Sequence, residues 1–342
     1  MNNEYLILKN KSIRSKRPLI NNNKKYSIYE NNGVFQICFK SKGCRYYLHG
    51  FCIMCDYGKG INITKEELGM AFDEAMKKSK YPIRTILLNS FGSILDTSEI
   101  SEECFETLLC KLSQTKVDNF IFETHYTTIT MDKILLIKEK LQGKKIRFEL
   151  GLESSNKNTR ETCLLKYIDN DLFKKKIDLI HSFDMDVIAN VLIGIHFLSE
   201  EEQLEDSLNS IIWCFQNGVD EVNLFPINIK PYTLLEELYE NKKYSPISQW
   251  LVIELLNRVP LEYLSDIYLA WYGNRELEYE NGEQTILPQS CPVCYDDIMK
   301  FYSNFLANND STHRKQLINN LIANVKCNCY NKELERLNKK IR

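Results

Sequence analysis

From residue 34 onward the chain alternates between two hydrophobic periods. Runs at 34–39, 85–89, 119–123, 145–150, 186–192 and 221–225 are rich in Val, Ile, Leu and Phe and have the length of buried strands. Between them, segments 65–78, 98–112, 131–141, 171–183 and 200–217 repeat apolar residues at helical spacing, and several open on Ser or Thr with acids in the first turn. This order predicts parallel strands joined by right-handed crossovers, with every strand's C-terminal end on one rim. Sites are built on such a rim. About six β-α units are visible, fewer than the eight of a closed barrel, so an α/β open or partial barrel is expected. Beyond Pro226 the pattern becomes helical at 234–239 and 249–259, a further strand is expected at 263–269, and the remainder reads as helical. Residues 1–32 have little periodicity and carry Lys9, Lys11, Arg14, Lys16, Arg17, Lys24 and Lys25 among many asparagines. They read as a basic arm, either a solvated lead-in or a phosphate-contacting segment. The organisation expected is therefore an arm (1–32), a barrel (33–270) and a C-terminal extension (271–342).

Composition narrows the class. At 342 residues, with 44% hydrophobic and 26% charged residues, the chain matches a folded globular protein and excludes a disordered or low-complexity one. A net charge of -2 gives no bulk electrostatic argument for a nucleic-acid partner. The twelve cysteines are the departure from the ordinary. The polar, lysine-rich start has no apolar leader core, and no apolar run approaches the roughly 18 residues of a membrane span, so a cytoplasmic protein without a membrane partner is expected. In a reducing compartment, clustered cysteines bind metal or do chemistry. Seven cluster: Cys44, Cys52 and Cys55, then Cys291, Cys294, Cys327 and Cys329. Cys38, Cys104, Cys110, Cys163 and Cys214 lie in apolar-periodic segments and read as core thiols.

The first group, in GCRYYLHGFCIMCDYG (43–58), directly follows the first strand and so stands on the rim. A tetrahedral zinc site would need a fourth ligand, for which His49 is the nearby residue. Three thiolates alone suit a 4Fe-4S cluster that leaves one iron open to chelate the amino and carboxylate groups of S-adenosylmethionine (SAM). The second group pairs C-x-x-C with C-x-C, which can close an all-cysteine tetrahedral site if 296–323 folds back as a hairpin. Zinc is the first reading there, an auxiliary Fe-S cluster the second, and unligated thiols the third.

Other rim positions suggest binding chemistry. Ser90, Gly92 and Ser93 end a strand and open a helix, where a carboxylate such as that of SAM is favoured. Glu153 ends another strand and could accept from the SAM ammonium or ribose. Asn190 and His196 border the fifth strand's end, and Glu123 and His125 the third's, so all four are candidates to face the cavity. The alternative for each is a satisfied structural or solvated side chain.

The cysteine loop resembles that of radical SAM enzymes, in the wider-spaced branch that includes the Elongator catalytic subunit, and most of all the archaeosine-biosynthesis radical SAM proteins, the RaSEA family. The likeness continues in order through Asn89-Ser90-Phe91-Gly92-Ser93-Ile94-Leu95-Asp96, Gly151-Leu152-Glu153-Ser154-Ser155, Ser199-Glu200-Glu201-Glu202 with Glu205-Asp206, Phe225-Pro226-Ile227-Asn228, and Tyr232-Thr233 with Ser245-Pro246, covering roughly 43–259. The resemblance implies a partial (β/α)6 barrel of the radical SAM type with a helical, cysteine-containing C-terminal extension. It implies a 4Fe-4S cluster on Cys44, Cys52 and Cys55, SAM contacted by Met54, Tyr57, Ser90, Gly92, Ser93, Glu153 and Ser154, and Glu123, His125, Asn190 and His196 on the catalytic side. The family's reaction breaks a carbon-nitrogen bond in a lysine adduct of a 7-deazaguanine in tRNA, which leaves archaeosine, with a transglycosylase-like partner and an electron donor. Two stretches depart from the family pattern on the substrate side: Glu123-Thr124-His125-Tyr126 and Leu165-Lys166-Tyr167. Two other readings stay open: a radical SAM enzyme acting on a small molecule or peptide, and a non-catalytic zinc protein binding RNA through the basic arm and the tail 332–342.

Overall fold

The computed structural model describes residues 3–17, 25–31, 33–58, 60–270 and 285–339. Helix α1 (Asn3–Ser15) precedes a hairpin of β1 (Tyr26–Asn31) and β2 (Val34–Phe39), which pair antiparallel. The cysteine loop follows, holding the short α2 (Arg45–Leu48). Then come α3 (Lys65–Met76), β3 (Thr85–Ser90), α4 (Glu102–Ser113), β4 (Asn119–Thr124), α5 (Met131–Lys140) and β5 (Lys145–Glu153). After α6 (Lys157–Thr159), which runs into a π-helical turn at Arg160–Leu164, the chain continues as α7 (Asn170–His181), β6 (Asp186–Ile193), α8 (Glu200–Gln216) and β7 (Glu221–Pro226). It proceeds through α9 (Leu234–Glu240), α10 (Gln249–Arg258) and β8 (Ile267–Leu269) to α11 (Pro292–Ala307), α12 (Ser311–Ala323) and α13 (Cys329–Lys339).

The eight strands form one sheet in sequence order, and every neighbour pair from β2 to β8 is parallel. The sheet curls far enough for its edges to meet: the Asn31 amide on β1 donates to the Tyr268 hydroxyl on β8 at 3.4 Å. The expected partial barrel is what the residues build, with the helical, cysteine-containing region after it. Side chains alternate across each strand. The outward set, including Phe120, Phe122 and Phe148, is fully buried under the helices, with ring centroids of Phe105–Phe122 at 6.0 Å and Phe122–Phe148 at 6.1 Å. The inward set is polar as well as apolar, which leaves the barrel hollow.

The helix starts follow the sequence signals. Thr64 with Glu67 and Ser199 with Glu202 form reciprocal capping boxes, while Ser101 and Thr130 cap α4 and α5 through their hydroxyls.

Two expectations are corrected. Residues 1–32 contain α1 and β1, and the arm's cations are largely engaged: Arg14 and Arg17 are buried, Lys9 pairs with Glu237 and Lys25 with Glu67 at 3.2 Å. Residue Lys24 lies outside the described residues, as do Lys340 and Arg342 of the tail. The strand expected at 263–269 is limited to Ile267–Leu269, because Leu261–Asp266 winds as a 3-10 turn after Pro260 and only three residues reach Val222–Leu224 for pairing.

Candidate functional site

The cysteine loop leaves β2 at the C-terminal rim and is closed at its base by a bridge between Gly43 and Gly58. Each cysteine is fixed by backbone. The Cys44 amide donates to the Phe91 carbonyl at 3.1 Å, Cys52 and Ile53 donate to the Leu165 and Leu164 carbonyls at 3.2 and 3.3 Å, and Cys55 donates to Cys52 at 2.8 Å. Cys52 holds a left-handed φ of 52°, an uncommon backbone state for a side-chain-bearing residue. A strained ligand residue is the kind of feature surrounding structure must enforce.

The enforcement comes largely from α1. Arg14, 3% exposed, donates to the carbonyls of Tyr47 (2.6 Å), Cys52 (2.8 Å) and Cys55 (3.0 Å), and its guanidinium lies 3.9 Å from the Tyr47 ring centroid. Asn10 donates to the Gly50 carbonyl at 3.0 Å and accepts from the Leu234 amide at 3.2 Å, tying the same helix to the start of α9. Gly50 is required there, since a Cβ would meet the Ile7 carbonyl at 2.8 Å. Asp56 is held by Arg17 (3.5 Å) and Lys230 (3.1 Å). The segment read as an arm is a clamp on the cysteine loop.

Burial pushes the Cys44 thiol up to about 11 and raises those of Cys52 and Cys55 as well. Thiols in such a setting stay protonated until a cationic centre takes their protons. Lys166, buried against Cys52 and paired with Glu153 at 2.7 Å, is lowered by burial but raised further by Glu153 and the neighbouring thiols, and ends above the ordinary lysine range. It supplies a fixed positive charge beside the cysteines. The three thiols do not draw together as ligands of a single ion, and His49 does not join them. Among the described residues, the group of Cys, His, Asp or Glu whose ligand atoms all lie within 4.8 Å of one another is Cys291, Cys294, Cys327 and Cys329.

That second group sits where the sequence put it. Cys291 caps α11 with Pro292 at its first position, and the α11–α12 hairpin returns the chain to Cys327 and Cys329 at the start of α13. The Cys294 and Cys327 sulfurs are 2.9 Å apart and those of Cys291 and Cys327 3.5 Å. A tetrahedral zinc with bonds of about 2.3 Å would set these edges near 3.8 Å, so the four need to open only slightly. Hydrogen bonds from Cys329 and the other thiols pull Cys291 down to about 7.

Below the cysteine loop the barrel encloses a cavity of about 350 Å³. Met54, Cys55 and Tyr57 line it at the rim with Glu153, Asn228 and Lys230; Glu123, Glu149, Asn190 and Asn223 lie deeper, and Arg147, Glu221 and Tyr268 lie toward the opposite end. Apolar walls come from Leu87, Ile121, Ile188, Leu192 and Phe225.

No family model matches the sequence. Among curated proteins, an uncharacterised protein of Methanocaldococcus jannaschii is 26% identical over 71% of this chain and 72% of its own length. Archaeosine synthase subunit beta of Methanosarcina acetivorans is 27% identical over 66% of this chain and 68% of its own, and that of Thermococcus kodakarensis 26% over 63% and 68%. This chain is similar to archaeosine synthase subunit beta over about two thirds of its length. The resemblance read from the ordered motifs is borne out along most of the chain. Among solved structures, Elp3 of Methanocaldococcus infernus superposes with a TM-score of 0.49 at 14% identity, covering 71% of this chain and 58% of that one.

As in any relative at this distance, individual positions must be read from the geometry. Met54, Tyr57, Glu153, Glu123 and Asn190 line the cavity. Ser90, Gly92 and Ser93 serve first to pack the β3 loop onto the cysteine loop. Glu99, which the sequence did not single out, accepts from the Ser41 (2.5 Å) and Ser90 (2.7 Å) hydroxyls and the Ser93 amide (2.8 Å). The Ser93 hydroxyl closes a buried triangle with Thr124 and Thr128. A Cβ at Gly92 would meet the Cys44 Cα and Cβ at 2.8 Å, so the close approach this glycine permits is to Cys44 itself. The Ser154 hydroxyl accepts from the Asn156 amide at 3.0 Å within its own loop and is not among the cavity-lining residues.

The two histidines are also outside the lining. His196 is fully buried, bonded through Nε2 to the Cys163 carbonyl, and burial holds its pKa down near 4. It ties the β6 end to the π-helical turn whose Leu164 and Leu165 carbonyls hold the cysteine loop. His125 packs between Tyr46 (5.1 Å) and Tyr126 (4.6 Å), with Nδ1 2.7 Å from the Thr127 hydroxyl. Burial and the charges of Lys166 and Arg45 depress it to about 3. Sequence reasoning missed Glu99 and Glu149, and named Arg14 and Lys166 without their part in holding the cysteine loop. Only the alternation of Arg147, Glu149 and Gly151 on one strand face could have flagged Glu149.

Proposed function

We propose that this chain is a radical SAM enzyme of archaeosine formation that cleaves a carbon-nitrogen bond in a lysine adduct of 7-deazaguanine in tRNA. The observation that carries the reading is the placement of three cysteines, one buried and two half-buried, in one clamped loop at the C-terminal rim of a parallel partial barrel, opening through Cys55 onto the barrel's cavity. Their donor set fits a cubane cluster with one iron free better than a single ion, because three thiolates without a converging fourth ligand leave a tetrahedral ion incomplete. Cys44, Cys52 and Cys55 would hold a 4Fe-4S cluster, which would supply the single electron needed to split SAM into methionine and a 5'-deoxyadenosyl radical.

The chain's own residues bind, orient and exclude water around that event. Met54 and Tyr57 border both the cysteine loop and the cavity, with Lys230 5.0 Å from the Tyr57 ring centroid. Glu153, pinned by Lys166, presents a fixed carboxylate to an ammonium or ribose hydroxyl at the rim. Apolar walls and the curled sheet keep water from the reacting carbon. Cys291, Cys294, Cys327 and Cys329 hold a structural zinc that fastens α13 to α11. Because Arg14 and Arg17 are buried and Lys9 is paired, tRNA contacts fall chiefly to a partner subunit, which the names of two of the curated relatives, each a subunit beta, support.

The test is anaerobic reconstitution with iron and sulfide, followed by reaction with SAM and lysine-adducted tRNA, alone and with the partner subunit. Archaeosine formed in the presence of the partner is the expected result. SAM cleavage without any carbon-nitrogen cleavage in either condition would move the assignment to a small-molecule or peptide substrate.

A further inference from the structure

The cavity's inner layer holds two carboxyl groups that no ion pair among the described residues neutralises. Glu123 on β4 and Glu149 on β5 stand directly opposite in register and both face inward. Neither takes part in an ion pair among the described residues. Burial and their mutual repulsion raise Glu123 to about 8, and burial raises Glu149 to about 7. Two amides extend the layer. Asn223, paired in register with Asn190, donates to Glu149 at 3.1 Å, and both Asn190 and Asn223 are more than nine-tenths buried. The Oδ1 atom of each has no hydrogen-bond partner. Raised this far, Glu123 keeps its proton at neutral pH until a cation enters; with a cation present, two carboxylates and two idle amide oxygens make this a wall of acceptors. Buried acceptors and unpaired carboxylates are costly unless something donates to them.

One strand position below Glu149 on the same face, Arg147 offers the opposite chemistry. Its Nη1 reaches Glu221 at 3.4 Å, yet its buried Nε has no partner. A layer that pairs strong acceptors with an adjacent guanidinium donor matches an ammonium and a carboxylate on neighbouring atoms. Apolar side chains, Ile121, Ile188 and Leu192 among them, line the space around this layer. Glu149 lies four residues, about 13 Å along the strand, from Glu153 at the rim, so a ligand reaching it must be extended and aliphatic.

We infer that this inner layer is a recognition site for the α-amino-acid head group of the substrate, its ammonium on Glu123, Glu149, Asn190 and Asn223 and its carboxylate on Arg147. The lysine identity rests on the function proposed above; the head-group chemistry rests on the cavity. A substrate seated this way hangs its far end toward Cys55 and Tyr57, where reaction occurs. Glu149 and Arg147 thereby set specificity and position.

The test uses the full-length protein and three probes of one length: Nε-acetyl-L-lysine, with both head charges; 6-acetamidohexanoate, with the carboxylate alone; and N-acetyl-1,5-diaminopentane, with the ammonium alone. Calorimetric titration should show the first binding at least ten-fold more tightly than either other probe. Glu149→Gln should remove its advantage over 6-acetamidohexanoate, and Arg147→Met its advantage over the diaminopentane, since each lost charge-assisted bond is worth about a factor of ten or more. Equal binding of all three probes to the wild type overturns the inference whether or not the variants fold, as does full discrimination retained in Glu149→Gln. Turnover of lysine-adducted tRNA separates the two claims. Head-group discrimination without turnover leaves this site standing and removes the proposed reaction; turnover without discrimination does the reverse.

Discussion

At the scale of single residues, the site depends on side chains that never reach the cavity. Arg14 satisfies three carbonyls of the cysteine loop at once, and no shorter or monodentate cation can span them. Arg14→Lys should destabilise the protein by about 2–4 kcal/mol, because it leaves buried carbonyls unpaired. Denaturant unfolding and iron content after reconstitution would check this; wild-type values for both would show that α1 does not hold the loop. Gly92→Ala tests the opposite side of the loop. Its Cβ would fall 2.8 Å from Cys44, so a loss of about 1–3 kcal/mol is expected, with reduced iron incorporation. His196 gives a pH signature. Its folded pKa, near 4, lies below the unfolded value of about 6.5, so the unfolded state binds the extra proton between those limits. Stability contributed by the neutral ring is complete above about pH 6.5 and falls with acidification toward pH 4, by at most about 1.4 kcal/mol per pH unit. His125, depressed to about 3, adds a slope of the same sign. Unfolding of His196→Gln measured from pH 7 to 4 should show a shallower loss than wild type, and an unchanged slope would mean the ring is charged in the folded state.

At the scale of elements, helices placed at opposite ends of the chain do comparable work. Helix α1 clamps the first cysteine loop, whereas α11 and α13 meet through the second cysteine group, whose ligand atoms lie within 4.8 Å of one another. The α11–α12–α13 unit packs on α10 and β8: Tyr330 donates to Glu254 on α10 at 2.6 Å, and Arg314 on α12 donates to the carbonyls of Phe305 on α11 and Ile267 on β8. Cys294→Ser should therefore remove one equivalent of zinc and lower the melting temperature while leaving iron at the first group intact. Metal analysis that finds no zinc in the wild type, or iron lost together with the zinc, would contradict a separate structural site.

At the scale of the whole molecule, charge and topology divide the labour of binding. Under the proposed function, a chain with net charge -2, most of whose N-terminal cations among the described residues are spent on internal contacts, has little reason to bind tRNA tightly alone. Reversing the exposed Lys11 and Lys16 to Glu should change tRNA affinity of the isolated chain by less than about three-fold, and most of the salt dependence should appear only with the partner subunit. Filter binding at two salt concentrations would decide it; a large loss on reversal would restore the phosphate-contacting arm.

The sequence by itself determined the β-α order, the helix caps, both cysteine groups and the rim on which the first of them stands. Those features rest on local periodicity and on donor spacing, which short stretches of chain express directly. It also singled out Glu123, Asn190 and Glu153, which line the cavity. Only the tertiary structure decided that residues 1–32 hold a helix and a strand, since the Arg14 carbonyl bonds join residues more than thirty apart and leave no local pattern. The same holds for Glu99, which gathers Ser41, Ser90 and Ser93 from two loops, and for Lys166, whose charge matters only beside Cys52 and Glu153. His125 and His196 stand near strand ends at the rim, but His196 is fully buried and neither is among the cavity-lining residues. The inner layer of Glu123, Glu149, Asn190 and Asn223 exists because curling the sheet turns four separate strands' inward positions toward one space, and strand register, not sequence distance, sets which polar side chains meet there.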